Sequence, residues 1–585
     1  MAVPSAQFLP EHIVVAIFHC LAPAAPRHAS RPEDFGPGAH GRVLVALMGT
    51  CRAWRHALCP AFYGTALLPL AGKSPAEVWV RTVDGAIGGG CQGYIRSVRV
   101  PLAEAGEPGA RGRHAIQCLE SVGGLPSVRC VHLDVGMRYL GKGADSLARL
   151  ERAGCVLDAV LVALARAAPG ICRVEASDDR CSGAEMESAV SRILARTYRA
   201  LGGRLLHIGT TDVMGLGRYW DVCTTAAEKA AAAAPAPLRS ITIFKGWPAR
   251  CGLELVQRFS ESLERLHIES TCTEDVARMT VSDGRADRTH VYPRLRHIRV
   301  NRCERTTDAA LDGPLGNPFP CLETLHFPGA APFPVSRVLL ENRARLRHVA
   351  VRLSRALAED LLRSCAAGDS AAAGGGGGGG GGEQRAFARL HYLSLMVLRD
   401  NAATCGPVLR LLMGVAGACP HARTVRLRYT ALYTLGEQAR YIRPLPTVQQ
   451  LDMEGIWLSV DEAADIAVAC PRLLSASMPL MEPPERPGAE GQPPAASDVE
   501  LRPVPATTLR TLLVRSPRFP SHRRTAQRIL QLAARAPHLA RVVVSSGHSL
   551  LPSRVIGAIG DALEEPPYKD RAHLHRIQFC VDNTK

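Results

Sequence analysis

A six-residue phrase that returns along most of the chain constrains its fold more than any single residue does. It reads leucine, two variable residues, an aliphatic, one variable residue and another aliphatic. The clearest copies are Leu263-Glu-Arg-Leu266-His-Ile268, Leu295-Arg-His-Ile298-Arg-Val300, Leu322-Glu-Thr-Leu325-His-Phe327, Val448-Gln-Gln-Leu451-Asp-Met453 and Leu509-Arg-Thr-Leu512-Leu-Val514. Looser copies begin near Val128, Ile171, Gly203, Leu238, Leu346, Leu390, Ala422, Leu473, Leu539 and Leu574. A unit this short can bury its apolar side only against its neighbours, so the pattern predicts a stacked solenoid, and a solenoid usually binds.

Upstream of several copies an amphipathic stretch runs into a cysteine or alanine and then a proline: Leu411 to Cys419-Pro420, Ile466 to Cys470-Pro471 and Ile529 to Ala536-Pro537. Apolar residues there recur at helical spacing, and proline removes a donor and disfavours helix in the residue before it. Each unit therefore reads helix, proline stop, short strand. That alternation predicts an α/β fold with parallel strands inside and helices outside. Along such strands side chains alternate, so the aliphatics of the phrase point into the core and the residues between them point outward. The cysteines before proline read as small buried apolar residues.

The segment Leu295-Arg-His-Ile-Arg-Val-Asn-Arg-Cys303 closes the phrase with a cysteine. In this it resembles leucine-rich repeats of the cysteine-containing class common in F-box proteins, and the resemblance covers roughly residues 125 to 585. Three stretches within that array look unlike repeat units: the alanine-rich 225–237, the glycine run 374–382 and the proline-rich 482–506. They carry too little apolar surface to offset ordering and are expected to be loops.

The first 70 residues have a different pattern. Leu9-Pro10-Glu11-His12-Ile13 places proline near a helix start, and residues 13, 14, 17, 18 and 21 then form one apolar stripe. A second helical stretch from Val43 leads to Cys51-Arg52-Ala53-Trp54-Arg55. By these patterns residues 1–70 are a small all-α module, with a proline- and glycine-rich loop inserted at 22–42 and a connecting segment at 71–124. Leu9, Pro10, Ile13, Ile17, Phe18, Leu21, Cys51, Arg52, Trp54, Arg55 and Phe62 occupy in order the positions of an F-box. The module is similar to that family, whose members bind the Skp adaptor of a cullin-RING ubiquitin ligase while the following repeats choose a protein target. The resemblance implies a substrate-recognition subunit that needs no cofactor. A short module cannot bury all its apolar side chains internally, so Leu9, Pro10, Ile13 and Ile17 are the candidate adaptor contacts.

Catalytic constellations are missing from the sequence. Gly88-Gly-Gly90-Cys-Gln-Gly93 formally fits a dinucleotide-binding GxGxxG, but Tyr94-Ile-Arg-Ser-Val-Arg-Val100 after it alternates like a strand where that fingerprint must open a helix. No GxxxxGK[ST], HExxH or GxSxG occurs. The 19 cysteines include no CxxC pair, which argues against both zinc and a disulfide framework. No signal-peptide pattern and no apolar run of about 20 residues is present, so the expected setting is cytoplasmic or nuclear, away from a membrane.

The formal net charge of +16 is unevenly spread: from residue 501 onward 14 Lys and Arg face five Asp and Glu, or 14 − 5 = +9. Arg265, His267, His297, Arg299, His348, Arg352, Arg426 and Arg428 fall at outward positions of the phrase. Such a row favours an acidic or phosphorylated protein target, because Arg forks bind carboxylate and phosphate bidentately. A nucleic acid is the competing partner for a basic surface, but aromatics at 5% give little for base stacking.

Overall fold

The computed structural model describes residues chiefly in the blocks 63–68, 83–102, 112–134, 144–177, 204–210, 238–243, 259–272, 279–304, 316–327, 335–353, 387–397, 414–434, 445–481, 508–518 and 521–581. Leu9, Pro10, Ile13 and Ile17, the loop at 22–42 and the stretches 225–237, 374–382 and 482–506 lie outside the described residues. The chain divides into two compact units, Met1–Gly284 with Tyr292–Leu295, and Arg285–Val291 with Arg296–Lys585.

Parallel strands cannot be joined by a tight turn, so each must be followed by a long return segment. The phrase, recurring about once per return, meets that requirement. In the first unit seven strands pair in chain order, all parallel: β1 (Thr65–Leu67), β2 (Ser97–Pro101), β3 (Cys130–Asp134), β4 (Arg173–Ser177), β5 (His207–Thr210), β6 (Ser240–Ile243) and β7 (Arg265–Cys272). Helices α1 (Val83–Gly88), α2 (Arg113–Ser121) and α3 (Ala144–Ala167) occupy its returns. The short β8 (Val281–Ser282) and β9 (Arg285–Thr289) stand apart from the parallel ladders.

The second unit carries ten more parallel strands: β10 (His297–Glu304), β11 (Thr324–Phe327), β12 (His348–Leu353), β13 (Tyr392–Val397), β14 (Thr424–Thr434), β15 (Gln450–Trp457), β16 (Ser475–Met481), β17 (Thr511–Arg518), β18 (Arg541–Ser545) and β19 (Gln578–Val581). Helices α4 (Val335–Glu341), α5 (Val460–Ala469), α6 (His522–Arg535) and α7 (Leu551–Leu563) lie among the described residues of its returns. Each unit is thus an α/β, solenoid-like stack. The step between equivalent positions varies from 24 residues, Thr324 to His348, to 44, His348 to Tyr392, and the longest step contains the glycine run.

The core follows the phrase. Ile298, Leu325, Val349, Leu393, Val425, Leu451, Ala476, Leu512 and Val542 stand side by side in register, each at most 2% exposed. Val98, Val131, Val174, Ile208, Ile241 and Leu266 form the same buried column in the first unit. Three differences from the sequence reading appear. Ile95-Arg-Ser-Val98-Arg-Val100 is a full copy without a leucine, and β2 lies inside the 71–124 segment expected only to connect. Ile208 pairs with Ile241, so the copy placed at Gly203 begins at Leu205. Phe579 pairs with Val542, so the copy placed at Leu574 starts two residues later. Both slips are even, which leaves every side chain on its expected face.

The helix stops match the sequence pattern. Ser459 opens α5 with a capping box, its side chain accepting from Glu462 N–H while the Glu462 carboxylate accepts from Ser459 N–H, and Cys470 closes the helix before Pro471. Helix α6 ends at Arg535, before Ala536-Pro537. Residues 414–417 are helical ahead of Cys419-Pro420. Cys419 and Cys470 are buried thiols, and burial pushes the Cys470 thiol up to about 12. The turn from Gly88 through Gly90, which takes a left-handed φ of 66°, leads through a single 3-10 turn into β2, so the GxGxxG match opens a strand.

One buried side chain ties α4 to the strand before it. Asn342 accepts from Leu322 N–H at 3.1 Å and donates to the Phe319 and Val338 carbonyls at 2.8 and 2.9 Å. Replacing it with leucine removes the side-chain partner of the buried Leu322 N–H and one bond to the Phe319 carbonyl, while the Val338 carbonyl keeps the backbone N–H of residue 342. Asn342→Leu is expected to lower unfolding free energy by on the order of 3 kcal/mol in denaturant titration; a change within experimental error would show that these bonds are dispensable.

Candidate binding face

The side chains opposite the buried columns form a grid whose rows are set by strand register. In the second unit one row runs His297, Thr324, His348, Tyr392, Thr424, Gln450, the next Arg299, His326, Ala350, Ser394, Arg426, Asp452, and a third, shorter row Arg352, Met396, Arg428, Glu454. All eight outward positions chosen from the sequence lie on such a face. Arg265 and His267 belong to the first unit and the other six to the second. Arg265 is exposed, and His267 lies 3.8 Å from Glu269.

The second-unit residues engage one another. His297 Nδ1 meets Thr324 Oγ1 at 3.0 Å, and Arg299 Nε donates to Asn301 Oδ1 at 2.8 Å. His348 stacks on Tyr392 with ring centroids 3.9 Å apart and planes 2° from parallel, while the Arg426 guanidinium carbon sits 5.7 Å from the Tyr392 ring centre. Burial, then the charges of His326, Arg299 and Arg426, hold the His348 ring well below the usual histidine range, down to about 4. At neutral pH His348 is therefore an uncharged aromatic surface between arginines.

The arginines at the end of the row have acidic partners. Arg428 Nη2 pairs with Glu454 Oε2 at 2.6 Å, and Arg426 Nε lies 3.6 Å from Asp452 Oδ2. Arg515 on β17 reaches both acids, Asp452 at 3.4 Å and Glu454 at 3.6 Å. Five alternating charges on β14, β15 and β17 therefore share one network, which neutralises part of the basic surface. The rule that selected Arg426 also selects Asp452, which stands between Leu451 and Met453.

The first unit presents a more buried polar cluster. Arg99 binds Asp134 through Nε at 3.0 Å and Nη2 at 2.8 Å, both side chains being about nine-tenths buried. Beside that pair, Glu175 on β4 takes bonds from Arg173, including one from Nε at 2.6 Å, and from His132 Nδ1 at 2.9 Å, with His207 Nε2 at 3.6 Å. Burial alone would raise the Glu175 carboxyl, but its contacts with His132, His207 and Arg173 outweigh that and hold it below the usual carboxylate range. The Cys130 thiol lies 3.5 Å from His132 Nε2, and burial followed by the Glu175 charge pushes it up to about 12. Sequence reasoning missed this group because its members belong to three separate copies of the phrase.

With this geometry in view, the chain matches no model of a known protein family and no curated protein. No helix among the described residues is long and apolar enough to cross a membrane.

The depressed His348 value has a consequence for pH. The unfolded chain takes up this proton near the ordinary ~6.5, whereas the folded chain resists it until about 4. Stability from the neutral ring is therefore present above the first value and lost as pH falls toward the second. In denaturant midpoints measured across that window, His348→Phe, which keeps a ring against Tyr392, is expected to lose less stability on acidification than the native chain. Parallel curves would contradict the assignment.

Proposed function

We propose that this chain is an F-box and leucine-rich-repeat protein, the substrate-recognition subunit of an SCF-type cullin-RING ubiquitin ligase. The amino-terminal module docks the Skp adaptor through Leu9, Pro10, Ile13 and Ile17. The repeats hold a protein target and raise its effective concentration beside the ligase, with no chemistry performed by the chain itself. The observation that carries the recognition half of this reading is the outward grid of the second unit, where a flat His348–Tyr392 stack is bordered by Arg299 and Arg426. Aromatic surface beside arginine is the composition that dominates binding energy at protein interfaces. The adaptor half rests on the ordered match in residues 9 to 62.

An acidic or phosphorylated segment suits the arginines at the border of the stack. A continuous nucleic-acid backbone suits the face less well, because Asp452 and Glu454 interrupt its positive run. A second reading, a repeat scaffold without ligase association, keeps the target face and drops the adaptor contact.

Co-purification with the Skp adaptor separates the two. The native chain is expected to retain the adaptor and the Leu9→Ala/Pro10→Ala chain to lose most of it, at unchanged circular dichroism. No retention by the native chain would leave the scaffold reading.

A further inference from the structure

Parallel register brings four metal-binding side chains together on the outward face of β3, β4 and β5. Cys130 and His132 alternate along β3, so both project to the same side. Glu175 is paired in register with His132, and His207 with Arg173. One donor atom from each of Cys130, His132 and Glu175 lies within 4.8 Å of the other two. We propose that Cys130, His132 and Glu175, with His207 as fourth donor, form a closed binding site for a zinc-class divalent ion.

One edge of the cluster already has the length a tetrahedral ion sets, and the other donors reach the ion by side-chain rotation, because the His132 ring faces Cys130 with Nε2 and Glu175 with Nδ1 and must turn one nitrogen toward the ion. Bonds near 2.3 Å to sulfur and 2.0 Å to nitrogen give an S···N edge of about 3.5 Å, and Cys130 Sγ to His132 Nε2 is 3.5 Å. The His207 Nε2 to Glu175 Oε1 separation of 3.6 Å is of the same size. His207 Nε2 is a buried atom without a hydrogen bond, although its ring is fixed from the other side by Nδ1 against Ser240 Oγ at 2.7 Å. Ion binding selects the tautomer in which Nδ1 donates to Ser240 and Nε2 offers its lone pair, in place of the one whose Nε2 proton faces Glu175, and such support from outside the ligand set is the usual way a ligating histidine is oriented. Gly209 is in register with Glu175 and Thr242, so the β5 position directly opposite the carboxylate carries no side chain and His207 is the β5 residue that reaches it.

The donor set of one thiolate, two imidazoles and one carboxylate selects a borderline ion such as zinc over calcium or magnesium, which prefer oxygen alone. Arg173 shares Glu175 and is half-exposed, so it can shift aside as the ion enters. Binding converts the Cys130 thiol to a metal thiolate and releases one proton to solvent, which balances the charge. With four protein ligands the ion has no open position. It would act as a structural clasp across three strands that come from separate turns of the stack.

Cobalt reports such a site directly. The full-length chain, stripped with chelator and kept reduced by a phosphine, is titrated with Co2+ and then competed with Zn2+. One equivalent is expected to produce the thiolate-to-cobalt charge-transfer band with the visible bands of a tetrahedral ion. Cys130→Ser should abolish the charge-transfer band. His132→Gln and Glu175→Gln should each weaken zinc by at least about tenfold, while Cys172→Ser, which removes a nearby thiol outside the set, leaves the spectrum unchanged. His132→Gln gives the decisive readout where Cys130→Ser alters the circular dichroism. A native chain with no band at one equivalent, or a band that persists undiminished in Cys130→Ser and His132→Gln, would overturn the proposal.

Discussion

Everything described here depends on one repeated backbone hydrogen bond. The residue just before each strand donates its N–H to the carbonyl of its counterpart one turn earlier: Arg129 to Arg96, Cys172 to Arg129, Leu206 to Cys172, Arg239 to Leu206 and Glu264 to Arg239 in the first unit. Glu323 to Arg296, Arg347 to Glu323, His391 to Arg347, Arg423 to His391, Gln449 to Arg423, Leu474 to Gln449, Arg510 to Leu474 and Ala540 to Arg510 continue the pattern in the second, and all these bonds measure 2.8–3.0 Å. Each contributes modestly alone, about 1 kcal/mol. Together with the buried aliphatic column they fix register, because a one-residue slip would turn every aliphatic toward solvent.

Register then does what chain spacing cannot. It sets His348 against Tyr392 across a 44-residue step and Arg515 against Asp452 across two strand positions. In the first unit it gathers Cys130, Glu175 and His207 from three turns. Sites of this kind consist of columns running across strands, so the return segments can change length without moving the members relative to one another. The step containing the glycine run illustrates this, since β12 and β13 on either side of it pair over six residues.

The sequence carried the parallel stack and the outward face of the eight Arg and His positions in the strands, because aliphatic alternation is a local property that parity preserves. The two copies misplaced by two residues, near Gly203 and Leu574, kept their faces for that reason. Other features were less legible. The copy at Ile95 contains no leucine, and its Ile-Val-Val set serves the core equally well. His348 counts as basic in a sequence and is neutral in place, since its protonation depends on burial and on neighbours from other strands. The Cys130 group and the acids opposing Arg426 and Arg428 depend on which copy pairs with which. Only the completed ladder supplies that information. Residues 9 to 62, which carry the adaptor resemblance, lie almost wholly outside the described residues.

Methionine oxidation tests the central claim, that register places alternate side chains of these strands on a usable outward face. Met396 lies on that face of β13, whereas Met453 and Met478 fill the buried columns of β15 and β16 at 1% exposure. Brief treatment of the full-length native chain with dilute peroxide, read by peptide mass spectrometry, should oxidise Met396 well before the other two. Equal rates for all three, or faster oxidation of Met453 and Met478, would contradict the register and with it the binding face.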